Sequence, residues 1–512
     1  MSNNINTSTS TSTSTSRVRG YRFNSLARFE RLEIVAHDPG FHLIAASLPQ
    51  TGTVTKPSLT STAGKLLLGV ATVLYGSDAD ATAELRHDWT RIRALFESVG
   101  IPAPVAPLEA RHFRDFRDEF LQDDGGLRTH LETVKSVLRD VAIGQAAEMG
   151  LLHGKDWNVA EDNNSWAEVP SERVVMGDGT WMSEMYLKDA HDAHQRKGSK
   201  KKSYRQVRLT RSKNGERRYS IDADHRGRAH GYAHLLMSVR GKQKRRMIVL
   251  DVERCPNGNE MEMVEASLKR LTSKLPEVDL GFVYDGAMQG THHAKLREHF
   301  GLFTLNQANG FDGYDYQVLH GQHRSATKAK TDQILTATAS NGECCELRTE
   351  MHAGTLFRVE HNPVTNTTRR GRHLEHGEVR RFKKPDGSYR WELDIEWVCL
   401  SHSETHRVTL DPNSTINGRS LAQGLRLIQQ DTPEFRRVYG IRNAAESLNQ
   451  QLKSSVMRNY RARSTNGERH ELDLLLGVIA MNAAAWAEHA PNSRCRALDV
   501  KSCDEPALSC AA

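Results

Sequence analysis

The residue types best suited to chemistry cluster near the C-terminus. Tyr439, Arg442, Glu446 and Lys453 stand in the segment YGIRNAAESLNQQLK, at offsets of 0, 3, 7 and 14 residues. At about 100° per residue on an α-helix they fall within an arc of roughly 60°. Ile441, Ala444, Ala445, Leu448 and Leu452 lie on the other side. The spacing therefore predicts an amphipathic helix with an apolar back and one narrow polar stripe. One carboxylate between two cations and a phenol suits a metal ion beside a phosphate backbone. The plain alternative is a solvated charged face, which is the usual fate of such residues.

Further carboxylates must be brought to that helix by other elements. Arg173–Met182 (RVVMGDGTWM) reads as a strand with Asp178 in or just after it. His230–Val239 is rich in strand formers, and Arg246–Val252 is a continuous apolar run, as in a buried strand. Glu260–Lys274 has helical spacing, Asp279–Tyr284 is a short buried strand ending in Asp285-Gly286, His292–Phe300 is helical, and Leu302–Asn306 reads as a fifth strand. Asp178 and Asp285 each have a plainer reading as turn formers. Asp251, at the end of the third strand, is a rival for the second acid but points to the wrong edge position. Three adjacent carboxylates repel one another unless cations neutralise them. Hard oxygen ligands suit Mg²⁺ or Mn²⁺, and two such ions can assist an in-line displacement at phosphorus.

This plan resembles a ribonuclease H-like domain: an acid on the first strand, one past the fourth, and one from a later helix. The chain also resembles the DDE transposases of that superfamily. The likeness is to the insertion-sequence-four-like group, marked by a Tyr-x2-Arg-x3-Glu-x6-Lys motif, which Tyr439, Arg442, Glu446 and Lys453 match at every spacing. The resemblance covers about 173–489. It implies an α/β fold: a mixed five-stranded ribonuclease H-like sheet flanked by helices, with a β-rich insertion and a helical N-terminal domain. It further implies that Asp178, Asp285 and Glu446 hold Mg²⁺ or Mn²⁺ and are catalytic. Tyr439 and Arg442 would contact backbone phosphates near the cut, and Lys453 would contact DNA on the same face. The implied activity is metal-dependent cleavage at insertion-element ends, followed by strand transfer into target DNA. The implied partner is double-stranded DNA, with a dimer when two ends are synapsed. Three alternatives stay open: a catalytically silent DNA-binding descendant, a nuclease of the same fold without strand transfer, and a scaffold protein whose acids are structural.

Length and composition leave room for this. The 512 residues suffice for two or three domains, and 38% hydrophobic residues can bury a core. A net charge of +7 is compatible with a nucleic-acid partner without demonstrating one. We expect a Ser/Thr tail over 1–20, a helical N-terminal domain over 21–170 that binds DNA ends, and the first part of the catalytic core over 171–306. A β-rich insertion over 307–429, the second part of the core over 430–490 and a poorly ordered tail over 491–512 complete the plan. Helical spacing marks Ala63–Tyr75, Ala79–Ser98, Glu109–Gln122 and Leu127–Glu148, with Asp78 and Asp124 at N-cap positions.

From Arg196 to Arg218 eleven of 23 residues are Lys or Arg, with Glu216 the only acid. Its place between the first two strands favours phosphate contact by Lys200, Lys201, Lys202 and Arg205. A second basic cluster comprises Arg369, Arg370, Arg372, Arg380, Arg381, Lys383 and Lys384, followed by Trp391 and Trp397. Stacking of these tryptophans on a displaced base is possible in principle, but their alternation with Leu393 and Ile395 favours one buried strand face. The seven cysteines form no Cys-x2-Cys pair, so no disulfide framework or zinc ribbon is indicated. Cys344 and Cys345, with His320 and His323 upstream, make a poor metal site, because adjacent cysteines rarely both ligate one zinc ion. The N-terminus has no apolar core segment and does not read as a secretory signal. The apolar run Leu474–Trp486 is too short to span a bilayer and contains Asn482. These features predict a cytoplasmic, nucleoid-associated bacterial protein with no membrane partner.

Overall fold

The computed structural model describes residues 26–48, 60–121, 130–152, 165–188, 208–211, 217–223, 227–243, 246–255, 260–275, 278–308, 332–362, 364–416, 419–458 and 466–489. Among the described residues seven α-helices come first: α1 (Arg28–Ala36), α2 (Pro39–Ser47), α3 (Thr62–Tyr75), α4 (Asp78–His87), α5 (Trp89–Ser98), α6 (Ala110–Phe120) and α7 (His130–Glu148). Strands β1 (Val174–Lys188), β2 (Arg208–Arg211), β3 (Arg217–Ala223), β4 (Gly227–Arg240) and β5 (Met247–Arg254) follow. Then come α8 (Glu260–Lys274), β6 (Gly281–Val283), α9 (Gly290–Phe300) and β7 (Phe303–Leu305).

Five strands form the central mixed sheet in the order β5-β4-β1-β6-β7. Only β4 runs against the others. Alternate residues of each strand serve opposite faces. Val174, Met176, Val283, Phe303 and Leu305 join one core cluster, whereas Val175, Phe282 and Tyr284 join another. The second face is covered by α8 and α9, through Val264, Leu268 and Leu296. The first is covered by N-terminal helices together with the C-terminal helices α11 (Pro433–Tyr439), α12 (Asn443–Gln450) and α13 (Gly467–His489).

The basic stretch after β1, expected to contact DNA, contains β2 and the first two residues of β3. The two strands extend the sheet as an antiparallel ribbon on β4, with Arg211 opposite Arg217 and Tyr219 opposite Gly231. Lys200, Lys201, Lys202 and Arg205 lie outside the described residues, as do Asp124, His320 and His323. The expected helix Ala79–Ser98 is broken at Asp88 into α4 and α5. Helices α1 and α2 carry no expectation from sequence. The N-cap of α4 is Ser77, whose Oγ accepts from the Asp80 N–H at 3.0 Å. Asp78 instead turns inward to Arg117.

The N-terminal helices are not set apart from the sheet. Their side chains share one continuous core with α13 and β1, from Phe29 and Leu32 to Leu476 and Ile479. Two buried charge networks fix this packing. Arg117 of α6 donates to Asp473 of α13 at 3.0 Å, to both oxygens of Asp78, and to Thr72 at 3.3 Å. Lys135 of α7 pairs with Glu253 of β5 at 2.9 Å and Glu471 of α13 at 2.8 Å. Arg139 reaches Asp251 at 2.9 Å. No helix among the described residues is long and apolar enough to cross a membrane.

Beyond β7 the chain builds a β-rich region. Strands β8 (Asp332–Thr338), β9 (Cys344–His352), β10 (Thr355–Asn362) and β11 (Thr367–His373) form one antiparallel sheet. Strands β12 (Glu375–Lys383), β13 (Tyr389–Cys399) and β14 (Glu404–Leu410) form another. A short pair, β15 (Thr415–Ile416) and β16 (Arg419–Ser420), leads to α10 (Leu421–Gly424). Trp391 and Trp397 are both buried. Trp391 packs against the stacked rings of Trp166 and Phe303 and donates its indole N–H to the Arg297 carbonyl at 3.0 Å. Neither ring offers a face to a base.

The buried Arg117 network makes a prediction. Arg117→Ala leaves Asp78 and Asp473 buried without their cation. We expect a loss of about 3–5 kcal/mol in unfolding free energy by denaturant titration. An unchanged midpoint would show that the network does not hold the helices to α13.

Candidate metal and phosphate site

Asp178 lies within β1, opposite Leu236 of β4, and shapes no turn. On its other side β1 pairs with β6 only through Val174, Val175 and Met176, the last opposite Val283. Continuing both parallel strands by two residues puts Asp285 at the level of Asp178. Each shares parity with residues of the first core cluster, so both belong to the face covered by α12. The Asp285 loop is also a tight turn, since its Oδ1 accepts from the Ala287 N–H at 2.8 Å.

The glycines flanking Asp178 have steric reasons. A Cβ on Gly177 would stand 2.7 Å from Tyr284 Cε2 and 2.9 Å from Met237 Sδ. A Cβ on Gly179 would stand 2.4 Å from Glu260 Oε1. The missing side chain lets Glu260, the first residue of α8, bring its carboxylate up from the second face. The Tyr284 hydroxyl donates to that carboxylate. Burial pushes the Glu260 carboxyl up, the Tyr284 bond opposes the shift, and the charges of Asp285 and Asp178 add to it.

The motif helix is not a straight α-helix. Thr432 caps α11, accepting from the Phe435 N–H at 3.2 Å, with Pro433 in the first turn. A 3₁₀ turn, Gly440–Arg442, joins α11 to α12, and a π-helical turn, Gln451–Val456, follows. The π-turn lies close against α13: a Cβ on Gly477 would stand 2.9 Å from Met457 and 3.2 Å from Leu452. The underwound turn re-aims the end of the stripe. Arg442, Asn449 and Lys453 converge on Asp178. Asn449 Nδ2 donates to Asp178 Oδ2 at 2.6 Å, and Arg442 Nη2 lies 3.7 Å from Oδ1. Arg442 Nη1 also donates to Glu446 Oε1 at 2.8 Å. Glu446 stays open, its side chain 56% exposed against 15% for Asp178. Tyr439 is half-buried against Phe435, with ring centroids 5.4 Å apart, and burial pushes its phenol up.

The electrostatics tie these groups together. Burial raises the Asp178 carboxyl; Arg442 and Asn449 oppose it, and Asp285 and Glu446 add to it. Burial pulls the Lys453 ammonium down, and Asp178 opposes that. Asp251 is no part of this group. It is buried on β5, bonded to Arg139, Arg270 and Ser267.

A buried polar network holds the Asp285 loop. Asn306 Nδ2 donates to the carbonyls of Asp285 at 2.9 Å and Met288 at 2.7 Å. Its Oδ1 meets His293 Nε2 at 2.8 Å and Arg426 Nε at 3.0 Å. Burial keeps His293 well below its ordinary range and hence neutral.

By donor type alone, the carboxylate oxygens of Asp178, Glu260, Asp285 and Glu446 could hold a hard divalent cation such as Mg²⁺ or Mn²⁺. No three of these acids bring ligand atoms within 4.8 Å of one another. Arg442 spans Asp178 and Glu446 instead. Sequence reasoning missed Glu260 and Asn449. Asn449 was visible as a position seven residues after Arg442, on the same helical line. The second basic cluster is largely committed to acids. Arg369 pairs with Glu360, Arg370 with Glu350, Arg372 with Glu375, and Arg380 with Asp394. Arg381 pairs with Asp279 and anchors the β-rich region to the sheet.

No protein-family model matches the chain, and no curated protein does. Among solved structures, a cryo-EM structure of a piggyBac transposase synaptic complex with hairpin DNA is similar, with a TM-score of 0.36 and 10% identity. The match covers 93% of this chain and 77% of that one. At that level it carries no functional argument.

The Asn449 bond favours ionised Asp178, so removing it moves the titration upward. We expect Asn449→Ala to raise the Asp178 pKa, followed by its carboxyl ¹³C resonance. Below that raised pKa a larger fraction is protonated and unable to ligate a cation. An unmoved titration would show that Asn449 does not stabilise the carboxylate.

Proposed function

We propose that the chain is a DNA transposase with a ribonuclease H-like catalytic core. It would cleave insertion-element ends and transfer the freed strand into target DNA in a cut-and-paste reaction. One observation carries the reading: Asp178, within β1, and Asp285, two residues past the end of the neighbouring parallel strand β6, lie on one sheet face, beneath a helix presenting Arg442, Glu446, Asn449 and Lys453.

Asp178, Asp285 and Glu446 would hold Mg²⁺ or Mn²⁺, which supplies charge neutralisation at phosphorus and an activated oxygen nucleophile. The chain's own residues prepare the site. Asn449 fixes the rotation of Asp178, and the Asn306 network fixes the Asp285 loop. Arg442 is bound to Glu446 and close to Asp178, and transfers readily to a phosphate, whose oxygens match its fork. Lys453, half-buried beside Asp178, adds a second cation for the same backbone. Tyr439 offers a hydroxyl. These contacts grip phosphates and read no bases. Hydrolysis breaks a phosphodiester and leaves a 3′-hydroxyl; that hydroxyl then attacks a target phosphodiester and displaces the adjoining 3′ oxygen.

The reading carries double-stranded DNA as partner, a dimer on synapsed ends, and a place in a bacterial cytoplasm beside the nucleoid. The test is cleavage and strand transfer on a plasmid carrying the coding segment with its natural flanking DNA, in Mg²⁺ or Mn²⁺. Asp178→Asn, Asp285→Asn and Glu446→Gln should each bind DNA yet lose cleavage by at least about a hundredfold, roughly 2.7 kcal/mol of transition-state stabilisation. DNA binding without cleavage by the unaltered chain would replace the proposal with a silent DNA-binding protein. Cleavage without transfer would replace it with a nuclease.

A further inference from the structure

A second cluster of chemically capable residues lies away from the acidic site, in the β-rich region. Cys345 is the second residue of β9, Cys399 the last of β13, and His402 sits in the turn before β14. Cys345 Sγ lies 3.0 Å from His402 Nδ1, and Cys399 Sγ lies 3.4 Å from the same atom. The three ligand atoms lie within 4.8 Å of one another, the only such group among the described residues. Both thiols are buried, at 2% and 6% exposure, within a small apolar cluster that includes Leu335, Leu347 and Trp397.

We propose that Cys345, Cys399 and His402 bind a zinc ion that staples the two sheets of the β-rich region together. Three features support this. First, two thiols and one imidazole form a ligand set that favours zinc over hard cations such as Mg²⁺. Second, the imidazole is already oriented. Its Nε2 faces Glu343 Oε2 at 2.7 Å. An ionised carboxylate only accepts, so the neutral ring carries its hydrogen on Nε2, which leaves Nδ1, beside both sulfurs, to ligate. Third, the turn aims it: the Ser403 N–H donates to the Cys399 carbonyl at 2.8 Å, and Ser403 takes φ +57°. That left-handed residue closes a Cys-x2-His spacing over one side of the strand end.

The ligands come from different sheets. β9 pairs with β8 and β10, and β13 with β12 and β14. The apolar cluster between them has eleven buried members among the described residues, and small cores commonly rely on such a staple. Binding converts two S–H groups to thiolates and releases two protons, with the fourth zinc position left to water. Cys344, the neighbouring residue, is exposed on the opposite side of the strand and takes no part.

The test uses the full chain, purified under reducing conditions from zinc-supplemented medium. We expect one zinc per chain from this site by elemental analysis. Cobalt(II) in its place should show tetrahedral visible absorption and a sulfur-to-cobalt charge-transfer band. Cys344→Ser should retain both signals. His402→Gln and Cys345→Ser should lose that equivalent, and chelation of the unaltered chain should lower its melting temperature. Should Cys345→Ser not fold, the cobalt spectrum of the unaltered chain and of His402→Gln still decides. A reduced chain that takes up neither metal, or a signal unchanged in His402→Gln, would overturn the proposal. So would a Cys345–Cys399 disulfide in a chain that never binds metal.

Discussion

The site rests on the pairing of two parallel strands. β1 and β6 share only three residue pairs, the last of them Met176 opposite Val283. Beyond that pair β1 continues while β6 ends, and two residues further along each chain stands an aspartate, Asp178 in β1 and Asp285 in the loop after β6. A one-residue slip would turn one carboxylate to the opposite face. The register is held from both sides, by Val174, Met176 and Val283 in one core and Val175, Phe282 and Tyr284 in the other. The same alternation lets Glu260 enter from behind. Gly177 and Gly179 point to the second face, where the Tyr284 ring and the Glu260 carboxylate fill the space their side chains would take.

Bringing charges to such a sheet edge needs a rigid frame, and the frame is unusually polar inside. Arg117, Lys135 and Arg139 tie the N-terminal helices to Asp473, Glu471, Glu253 and Asp251. These pairs position α13, against which the π-turn of the motif helix packs through Gly477. A buried ion pair is weak evidence for net stability, because desolvation offsets the attraction. What these pairs supply is register: Arg117 joins Asp78 to Asp473, and Lys135 joins Glu253 to Glu471, so each bridge closes in one arrangement of the elements. The N-terminal helices thereby belong to the layer that supports the acidic site.

Much of this plan was readable in the chain. The apolar run before Asp251 and the short strand before Asp285 follow from residue type alone, and Glu260–Lys274 has the bounds its periodicity suggests. The polar stripe of the motif helix was legible as a stripe. Its contacts were legible only in part: Asn449 lies on the line of Arg442 and touches Asp178, Glu446 stays open, and the π-turn that carries Lys453 leaves no mark in the spacing. The ribbon of β2 and β3 was hidden by its charge, and the partners of Arg370 and Arg381 lie too far along the chain to be read from spacing. The meeting of Cys345 with Cys399 and His402 was missed for the same reason: distant strands bring them together, whereas adjacency in the sequence pairs Cys345 with Cys344.

The central claim is that Asp178 and Asp285 form a divalent-cation site under the motif helix. The most direct measurement is Mn²⁺ binding to the full chain with a DNA duplex present, followed by loss of the free-ion electron paramagnetic resonance signal. The account predicts saturable binding that is competed by Mg²⁺ and lost in Asp178→Asn and Asp285→Asn. It also predicts that binding survives in Asp251→Asn if that variant folds. Binding that is absent, or unchanged in both Asp178→Asn and Asp285→Asn, would contradict it.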